Sequence, residues 1–413
     1  MPVEGKTRIR YNYLAMKKTL VIEHASVVAD NEILSNTTVT VVDGKIASVG
    51  PDGSAPVPAD AERVDAGGKM LTPGFIDLHM HGLKSNGVDH GPEALAAICR
   101  DLPAYGVTGW LPTLSPKPAA QFLPLISSLA AGSAKQTPES GAQVLGFHLE
   151  GPFLTCIGAL PKDALGDAGP EYVNQLVDAG APFKVICSVA PDFNGAEAVI
   201  STLNKRGLPV FMTHTAANAE QTLRGIACGI RHATHFFDVY PPLPEIEPGV
   251  RACGVPEAAL YSDDVSVDFI VDGVHVQPLA IKLALKCKGP DKVCLITDAM
   301  VGSGTLGQYD FAGTLVEFKE PGMPARIVSS ATGMPVGALA GSGLSMNLAV
   351  RNAVKIVGVS IPQAVRMGSA NPARVLGLQD SKGRIAPGYD ADLVLLDSDF
   401  SVLHTWVAGT TVR

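Results

Sequence analysis

The stretch LTPGFIDLHMHG, residues 71–82, joins an apolar run to two histidines that stand two positions apart. The run Leu71–Leu78 is predicted to form a β-strand because it is mostly apolar. Side chains at positions i and i+2 of a strand point the same way, so the imidazoles of His79 and His81 can reach one cation. The alternative reading is two histidines at a polar strand end with no metal.

Apolar, strand-like runs recur along the chain after this stretch. Seven more follow: Val107–Pro112, Val144–Leu149, Lys184–Val189, Val210–Thr213, Arg231–Thr234, Val267–Val271 and Val293–Thr297. Helix-like stretches separate most of them, such as Glu93–Leu102, Ala196–Lys205, Ala219–Ala227 and Pro278–Lys286. Eight alternating strand–helix units predict an α/β protein with a (β/α)8 TIM barrel.

The two ends of the chain have a different texture, with short strands and turns. Residues 19–72 and 380–413 are predicted to form one small β-sandwich domain, with a hairpin at Asp43-Gly44. Residues 73–379 then form the catalytic barrel, and residues 1–18 a poorly ordered N-terminal extension. The glycine-rich segment 305–345 is expected to be a loop or hairpin over the barrel mouth.

Helices are predicted to resume after this segment. The expected helices are Ser342–Val357, Ile361–Gly368 and Pro372–Leu376, the last of them capped by Asn371.

Composition excludes several classes of protein. The 413 residues carry a formal net charge of −8 and no basic cluster, which argues against a nucleic-acid partner. No apolar run reaches the roughly 18 residues that a membrane helix needs, so no membrane association is expected. Seven scattered cysteines without a C-x-x-C pair indicate reduced thiols and a cytoplasmic location.

Four more residues with metal-binding or acid–base side chains stand at the ends of predicted strands: Glu150, His214, His235 and Asp298. A barrel gathers the carboxyl ends of its strands at one face, so these groups and the two histidines are predicted to form a hydrolytic centre with one or two metals. Beside a metal, Asp298 could serve as general base and then as general acid.

Each of these residues also has a simpler reading when it is taken alone. Glu150 precedes Gly151-Pro152, a pair expected to stop the strand, and could be exposed at a turn. His214 and His235 could be hydrogen-bonded core histidines, and Asp298 could cap a helix. His232 is interpreted as structural. Independent accidents would not be expected to fall at strand ends on one barrel face, which favours the hydrolytic centre.

These residues and their surrounding motifs resemble those of the amidohydrolase superfamily, and within it those of the N-acetylglucosamine-6-phosphate deacetylases. The similar stretches are residues 71–82, 106–113 (GVTGWLPT), 148–153 (HLEGPF), 233–235 (ATH), 271–275 (VDGVH), 297–299 (TDA), 369–374 (SANPAR) and 383–394 (GRIAPGYDADLV). The resemblance runs from about residue 19 to the end.

The resemblance implies a role for each of the matching residues. Glu150, His214 and His235 would bind the principal divalent cation, with zinc or iron as the expected metal. His79 and His81 could hold a second ion, bridged to the first by the glutamate. Asp298 would be the catalytic acid–base residue, and His275 would contact the substrate. The family often forms dimers, so a homodimer is possible.

The sequence departs from the family's pattern at three positions near the expected substrate. Leu160, in the run Ile157-Gly158-Ala159-Leu160, replaces a histidine. Asp238, after Phe237, stands where the family has asparagine. Ile246, between two glutamates, replaces a phosphate-binding arginine that in the family reaches the neighbouring subunit's site, and Arg251 is a possible substitute.

These departures weaken the case for a phosphorylated substrate, since a buried phosphate normally requires a bidentate arginine. The substrate contacts are predicted at His275, Asp238, Phe237, Leu160, Ala159 and Arg251.

The predicted function is removal of an N-acyl group, acetyl above all, from a small sugar-like molecule by a metal-dependent amidohydrolase. A second hypothesis keeps the centre but changes the substrate to an unphosphorylated N-acetyl sugar, an N-acyl amino acid, a cyclic amide or a deamination substrate. A third is a non-catalytic binding protein with a relic site.

Overall fold

The computed structural model describes residues 19–54, 56–161, 169–311, 313–330 and 333–413. The predicted extension 1–18 lies outside the described residues. At the centre stands a parallel barrel of eight strands, which confirms the predicted TIM barrel. Its strands are β1 Phe75–Met80, β2 Val107–Leu114, β3 Phe147–Phe153, β4 Val185–Val189, β5 Val210–Met212, β6 Ile230–Ala233, β7 Ser266–Ile270 and β8 Val293–Ile296. The short strand Gln143–Val144 adds to β2.

Backbone hydrogen bonds just beyond β8 join the last strand to the first. The Asp298 amide donates to the His79 carbonyl at 2.9 Å, and the His81 amide donates to the Ala299 carbonyl at 2.7 Å. Met80 and Ala299 form a parallel bridge. The barrel therefore closes at the segment that carries both candidate histidines and the candidate acid–base residue.

Helices cover the outside of the barrel. They are α1 Pro92–Asp101, α2 Ala119–Ser133, α3 Pro170–Ala179, α4 Ala196–Lys205, α5 Ala219–Cys228, α6 Val255–Tyr261, α7 Pro278–Lys288, α8 Met346–Asn352, α9 Ile361–Gly368 and α10 Ala370–Val375. A π-helical turn, Ala353–Val357, extends α8. The 3₁₀ turns are Val88–His90, Leu102–Tyr105, Pro138–Ser140 and Pro290–Lys292.

Local sequence explains where several of these helices begin. The Asn218 side chain accepts a hydrogen bond from the Gln221 amide, and the Gln221 side-chain oxygen accepts one from the Asn218 amide, which forms a capping box at α5. Proline opens α1, α3 and α7 at the first helical position, where its missing N–H costs nothing. Within the described ranges, the helices are too short or too polar to cross a bilayer.

Strands from both ends of the chain form one mixed sheet beside the barrel. They are Thr19–Val28, Ile33–Val42, Lys45–Pro51, Glu62–Asp65, Met70–Pro73, Leu393–Leu396, Val402–Val407 and Thr410–Thr411. The two ends meet where Leu71 pairs with Leu395 in antiparallel register. The hairpin at Asp43-Gly44 joins Ile33–Val42 to Lys45–Pro51 as predicted. Trp406 is fully buried in the apolar cluster of this sheet.

The predicted single strand Leu71–Leu78 is wrong, because the structure divides it at Gly74. Met70–Pro73 belongs to the terminal sheet, and only the part from Phe75 onward enters the barrel. A Cβ atom at Gly74 would stand 2.0 Å from the Thr108 hydroxyl. Only glycine lets the chain pass this close to β2 as it moves from one sheet to the other.

Two helix predictions also need correction. The predicted helix from Ser342 begins only at Met346, since Ser342 hydrogen-bonds back to the β8 end instead. Asn371 does not cap the last helix but lies inside it. Its side-chain amide donates to the carbonyls of Pro290 and Val293, at 2.8 and 2.7 Å, and so ties α10 to the start of β8. Hydrogen bonds to residues remote in sequence therefore determine the role of Asn371.

The glycine-rich segment after β8 contains a small antiparallel sheet, which agrees with the predicted hairpin. Its strands are Gly307–Phe311, Thr314–Phe318 and Arg326–Ser330. At the end of its first strand, the Phe311 ring lies edge-on to His81, with the ring centroids 5.5 Å apart. This sheet therefore forms one wall of the barrel mouth.

Lys382 links the terminal sheet to the barrel. Its buried ammonium lies 2.6 Å from Asp392 and 3.0 Å from Asp390, and it donates to the Gln143 side chain at 3.2 Å. A buried cation needs this set of acceptors, since an unpaired charge in the interior is strongly unfavourable.

We expect Lys382→Met to lower the free energy of unfolding by about 3–5 kcal/mol, because it leaves two carboxylates without their buried partner. Lys319→Met, which removes an exposed pair with Glu317, is the control and should change it by less than about 1 kcal/mol. Urea denaturation at neutral pH measures both. Equal effects of the two variants would contradict a structural role for the buried cluster.

The same cluster makes the free energy of unfolding depend on pH in the acidic range. Burial alone would raise the pKa of Asp390, but the charges and hydrogen bonds of Lys382 and Lys45 hold that pKa below its usual 3.8. A depressed folded-state pKa adds stability above pH 3.8 that is lost as the pH falls through the folded value. The stability difference between the wild type and Asp390→Asn should thus be constant near neutrality and shrink below about pH 4. Urea midpoints measured from pH 7 to pH 3 test this, and a constant difference over that range would contradict it.

Candidate metal centre

Six candidate residues reach the barrel mouth from the carboxyl ends of five strands. They are His79 and His81 from β1, Glu150 from β3, His214 after β5, His235 after β6 and Asp298 after β8. All six residues are buried. The structure therefore brings together every residue that the sequence proposed for the metal and for acid–base chemistry.

Glu150 lies in the middle of this group, with one carboxylate oxygen facing each pair of histidines. Its Oε1 is 3.0 Å from His214 Nε2 and 2.9 Å from His235 Nε2. Its Oε2 is 3.0 Å from His81 Nε2 and 3.6 Å from His79 Nε2. This is the arrangement of a carboxylate that can serve two adjacent cation positions at once.

Asp298 lies on the side of the β1 histidines. Its Oδ1 is 3.4 Å from His79 Nε2 and 3.6 Å from His81 Nε2. Its side chain is 13% exposed, whereas that of Glu150 is 3% exposed, so Asp298 is the acidic group of the two that a molecule at the mouth can reach.

The donor atoms fit a divalent transition metal. Two sets each present one ligand atom per residue within 4.8 Å of one another: His79, Glu150 and His235, and His79, His81 and Asp298. Imidazole nitrogen and carboxylate oxygen are the donors that zinc and non-haem iron take in proteins. Buried carboxylates and histidines packed this closely are stabilised when a cation lies among them.

The prediction that Gly151-Pro152 stops the third strand after Glu150 is wrong. The strand β3 continues to Phe153, which pairs with Val189 after a register shift that follows Leu149. The irregular register lets the Glu150 side chain leave the ladder and point into the mouth. Glu150 is consequently not exposed at a turn.

Three of the candidate residues have a left-handed backbone conformation, which is uncommon for residues other than glycine. The φ angles are 50° at His214, 34° at His235 and 48° at Asp298. Such conformations persist when surrounding contacts hold them in place. The His214 carbonyl accepts from the Thr155 and Cys156 amides, and the Asp298 carbonyl accepts from the Ser342 amide. The strand ends therefore turn sharply and aim these side chains inward.

Asp268 is a supporting residue that sequence reasoning missed. Its carboxylate accepts hydrogen bonds from the His235 amide, from Thr234 Oγ1 at 2.9 Å and from His232 Nε2 at 2.8 Å. It thereby fixes the turn that aims His235. The interpretation of His232 as structural agrees with this contact. A carboxylate inside the apolar run Val267–Val271 was the available signal, because a buried charge needs partners.

Asp77 is a second supporting residue that the sequence reading did not identify. Its carboxylate accepts from Thr297 Oγ1 at 2.6 Å and from the His79 amide at 3.3 Å, and so joins β1 to the end of β8 beneath the centre. Burial raises the pKa of Asp77 to about 7, although these hydrogen bonds oppose the shift. It is fully buried and lies two residues before His79.

Electrostatics favour a charged Glu150. Burial alone would raise its pKa, but His79, His214 and His235 hold the pKa of Glu150 well below its usual range. Burial would likewise lower the pKa of His81, but the hydrogen bond and the charge of Glu150 raise it instead. Glu150 is therefore ionised, which is the form in which a carboxylate binds a cation.

His275 lies at the β7 side of the mouth and is held by Asp272. Its Nδ1 is 2.6 Å from Asp272 Oδ2, while Asp272 Oδ1 accepts from the His275 amide at 2.9 Å. Burial would lower the pKa of His275, but Asp272 raises it above its usual value. Nε2 is thus the nitrogen that can contact a bound molecule.

The loops that carry the other predicted substrate contacts meet beside His214. A Cβ atom at Gly158 would stand 2.9 Å from the His214 ring and 3.4 Å from Val239, so the segment with Ala159 and Leu160 lies against the segment with Phe237 and Asp238. Leu160 is 3% exposed.

Arg251 differs from the other predicted substrate contacts. Among the described contacts, its guanidinium pairs with Glu257, and its side chain is 83% exposed. The structure does not bring Arg251 to the centre, because a nearer carboxylate binds it at the surface.

A cavity of about 240 Å³ opens next to His81. It is lined by His81, Gly87, Asp89, His90, Lys117, Val301, Asp310 and Phe311. It is smaller than the roughly 300–1,000 Å³ of a drug-sized pocket, so it can hold one small group adjoining the centre.

A TIM barrel that collects imidazoles and carboxylates at the carboxyl ends of its strands has the architecture of a metal-dependent hydrolase. The chain belongs to the amidohydrolase family, whose model matches residues 70–412. It is therefore a metal-dependent hydrolase of amide C–N bonds.

Two curated relatives are similar over almost the whole chain. The N-acetylgalactosamine-6-phosphate deacetylase of Escherichia coli O157:H7 is 32% identical over 91% of this chain and 94% of its own length. The N-acetylglucosamine-6-phosphate deacetylase of Bacillus subtilis (strain 168) is 32% identical over 95% of this chain and 97% of its own length.

Solved structures give the same result for the fold. The N-acetylglucosamine-6-phosphate deacetylase from Pasteurella multocida superimposes with a TM-score of 0.85 at 27% identity, covering 95% of this chain and 99% of the other. An enamidase of the amidohydrolase superfamily, at 17% identity and a TM-score of 0.60 over 96% of each chain, shares the fold.

Glu150 faces both histidine pairs, so its loss should weaken metal binding whichever pair holds the metal. We expect Glu150→Ala to reduce bound metal to a small fraction of the wild-type content. His90→Ala, in the adjoining cavity wall, is the matched control and should retain the wild-type content. Metal analysis of the purified proteins measures this, and a Glu150→Ala protein with wild-type metal content would refute the central position of Glu150.

Proposed function

We propose that this chain removes the N-acetyl group of an amino-sugar-like small molecule, with Asp298 as the residue that carries the proton. The observation that carries the proposal is the position of Glu150 between two histidine pairs, with the Asp298 carboxylate 3.4 Å from His79 on the accessible side. The similar curated proteins are named as deacetylases of N-acetylated sugar phosphates, which supports an N-acetyl substrate.

The cofactor we propose is zinc or iron, as one or two ions. His214, His235 and Glu150 would hold the principal ion, and His79 and His81 would hold a second one that shares Glu150. A bound divalent cation lowers the pKa of water and polarises a carbonyl, which is the activation that amide hydrolysis needs. The donor set fits either one ion or a pair.

Asp298 would move a single proton in two steps. Its carboxylate accepts the proton of the attacking water as the new C–O bond forms at the amide carbon. The protonated acid then donates the proton to the amide nitrogen as the C–N bond breaks, and acetate and a free amine result. Its two histidine neighbours, at 3.4 and 3.6 Å, keep the carboxylate beside the centre.

Other groups of the mouth would bind and orient the substrate. His275, held through Nδ1 by Asp272, can donate or accept at Nε2. The segments with Ala159–Leu160 and Phe237–Asp238 lie beside His214 and would contact the part of the substrate that leaves with the amine. Their walls are partly apolar, which excludes bulk water from the reacting bond.

The organisation of the protein around this centre is also proposed. Residues 73–379 would be the catalytic domain, and residues 19–72 with 380–413 the small β domain. A homodimer is compatible with the exposed apolar side chains Tyr261, Leu279 and Leu283 on α6 and α7. A cytoplasmic location is compatible with the seven unpaired cysteines.

The direct test is the Asp298→Asn variant, loaded with zinc or with iron and assayed for acetate release from N-acetylated amino sugars. We expect kcat to fall by roughly 10²–10⁴-fold, because the amide cannot accept the proton, while the metal content stays near that of the wild type.

Asp399→Asn, which changes an exposed carboxylate in the turn between the strands Leu393–Leu396 and Val402–Val407, should retain full activity. Full activity of Asp298→Asn would refute the proposed role of Asp298. A metal-loaded wild type that releases no acetate from any N-acetylated amine would favour a binding protein instead.

A further inference from the structure

The side of the mouth formed after β6 carries the carboxylate of Asp238. The Asp238 amide donates to the His235 carbonyl at 2.9 Å, so this residue stands directly beside a candidate metal ligand. Its Oδ1 accepts from the Val239 amide at 3.1 Å. Within the described ranges, the recorded ion pairs include none between Asp238 and a lysine or arginine. Among the described residues, the basic groups that this charge reaches are therefore the imidazoles of His235 and His275, and no lysine or arginine pairs with Asp238 to hold a phosphate there.

The cavity next to His81 is also acidic. Its lining includes two carboxylates, Asp89 and Asp310, and one ammonium group, Lys117. Lys117 Nζ lies 2.9 Å from Asp89 Oδ2, so this cation is already neutralised by its neighbour. Asp310 caps the hairpin turn by accepting from the Gly313 amide at 3.3 Å. With neutral histidines, this cavity has a net charge of −1.

The exposed loop between β6 and α6 carries two carboxylates and one guanidinium, which is already paired. Ile246 is 72% exposed and lies between Glu245 and Glu247. Glu245 accepts from the Gly249 amide at 3.0 Å, which folds the loop back on itself. Arg251, the cation of this loop, is engaged by Glu257 at the surface.

These three observations point to a substrate without a phosphate group. A bound phosphate is normally held by arginine or lysine side chains in charge-assisted hydrogen bonds. Here the described polar groups of the mouth are carboxylates and imidazoles, and the cations Lys117 and Arg251 are already paired with Asp89 and Glu257. Like charges brought together at low dielectric repel each other strongly. Hydroxyl groups, in contrast, can donate to carboxylates.

We infer that the mouth selects an uncharged, polyhydroxylated N-acetyl amine, such as an unphosphorylated N-acetyl amino sugar, and disfavours its phosphorylated counterpart. This inference rests on the proposed function, since it names the substrate class of the same centre. Asp238 and Asp310 are the side chains that impose the discrimination, one on each side of the metal ligands.

The test compares N-acetylglucosamine with its 6-phosphate on the metal-loaded wild type. The expected kcat/KM for the uncharged sugar is at least about tenfold higher than for the phosphorylated one. Added salt should raise kcat/KM for the phosphorylated sugar, because it screens the repulsion, and leave the uncharged sugar unaffected. A tenfold preference for the phosphorylated sugar, with kcat/KM falling as salt is added, overturns the inference.

Single-residue variants test which carboxylates discriminate between the phosphorylated and the uncharged sugar. Asp238→Asn and Asp310→Asn keep the shape of the side chain and remove its charge, so each should narrow the ratio of the two kcat/KM values by roughly three- to tenfold. Asp60→Asn, a change at an exposed residue in the turn before the strand Glu62–Asp65, is the control and should leave the ratio unchanged. An unchanged ratio in both mouth variants overturns the assignment to these residues.

A binding measurement separates failure of this inference from failure of the proposed function. Calorimetry with glucosamine and with glucosamine 6-phosphate needs no turnover. Tighter binding of the phosphorylated amine overturns the charge inference even when the enzyme is inactive. Hydrolysis of the phosphorylated sugar alone leaves the proposed function intact and overturns only the inference. If neither amine binds and neither sugar is hydrolysed, both proposals are wrong.

Discussion

The rest of this structure depends on one buried carboxylate. Glu150 sits among four imidazoles, and an ionised carboxylate in the interior is tolerated only when it is paired and hydrogen-bonded. Its two oxygens divide the histidines into two pairs, with His214 and His235 beside Oε1 and His79 and His81 beside Oε2. The barrel supplies the geometry, since strands far apart in sequence end at one face.

The hydrogen bonds that close the barrel also hold part of the centre together. The bonds that join β1 to the end of β8 run through the backbone of His79, His81 and Asp298, and Asp77 reinforces them from below. Local unfolding at this seam would therefore separate the β1 histidines from Asp298. The left-handed turns at His214, His235 and Asp298 show the same coupling, because tertiary hydrogen bonds hold each of them.

Much of the fold and of the candidate site could be predicted because the sequence patterns that indicate them lie within short stretches of the chain. Apolar runs marked all eight barrel strands, and a histidine or carboxylate at a run's end marked each donor. The errors arose where a distant partner decided the outcome. The chain passes close to Thr108 at Gly74, where the predicted strand is divided. The Asn371 side chain donates to the Val293 carbonyl instead of capping its helix. Pairing with Val189 continues β3 beyond Glu150. The supporting carboxylates Asp77 and Asp268 were missed for the same reason, since their partners are remote in sequence.

The sequence by itself determined the barrel and the chemical identity of its centre, because strand periodicity and residue type are written along the chain. The tertiary structure alone decided which of these charged groups lie next to one another. It placed Glu150 between two histidine pairs, engaged Lys117 with Asp89 and Arg251 with Glu257, and left Asp238 beside the centre. Electrostatic interactions fall off with distance in space and not in sequence, so the charge that a substrate meets is a property of the folded mouth.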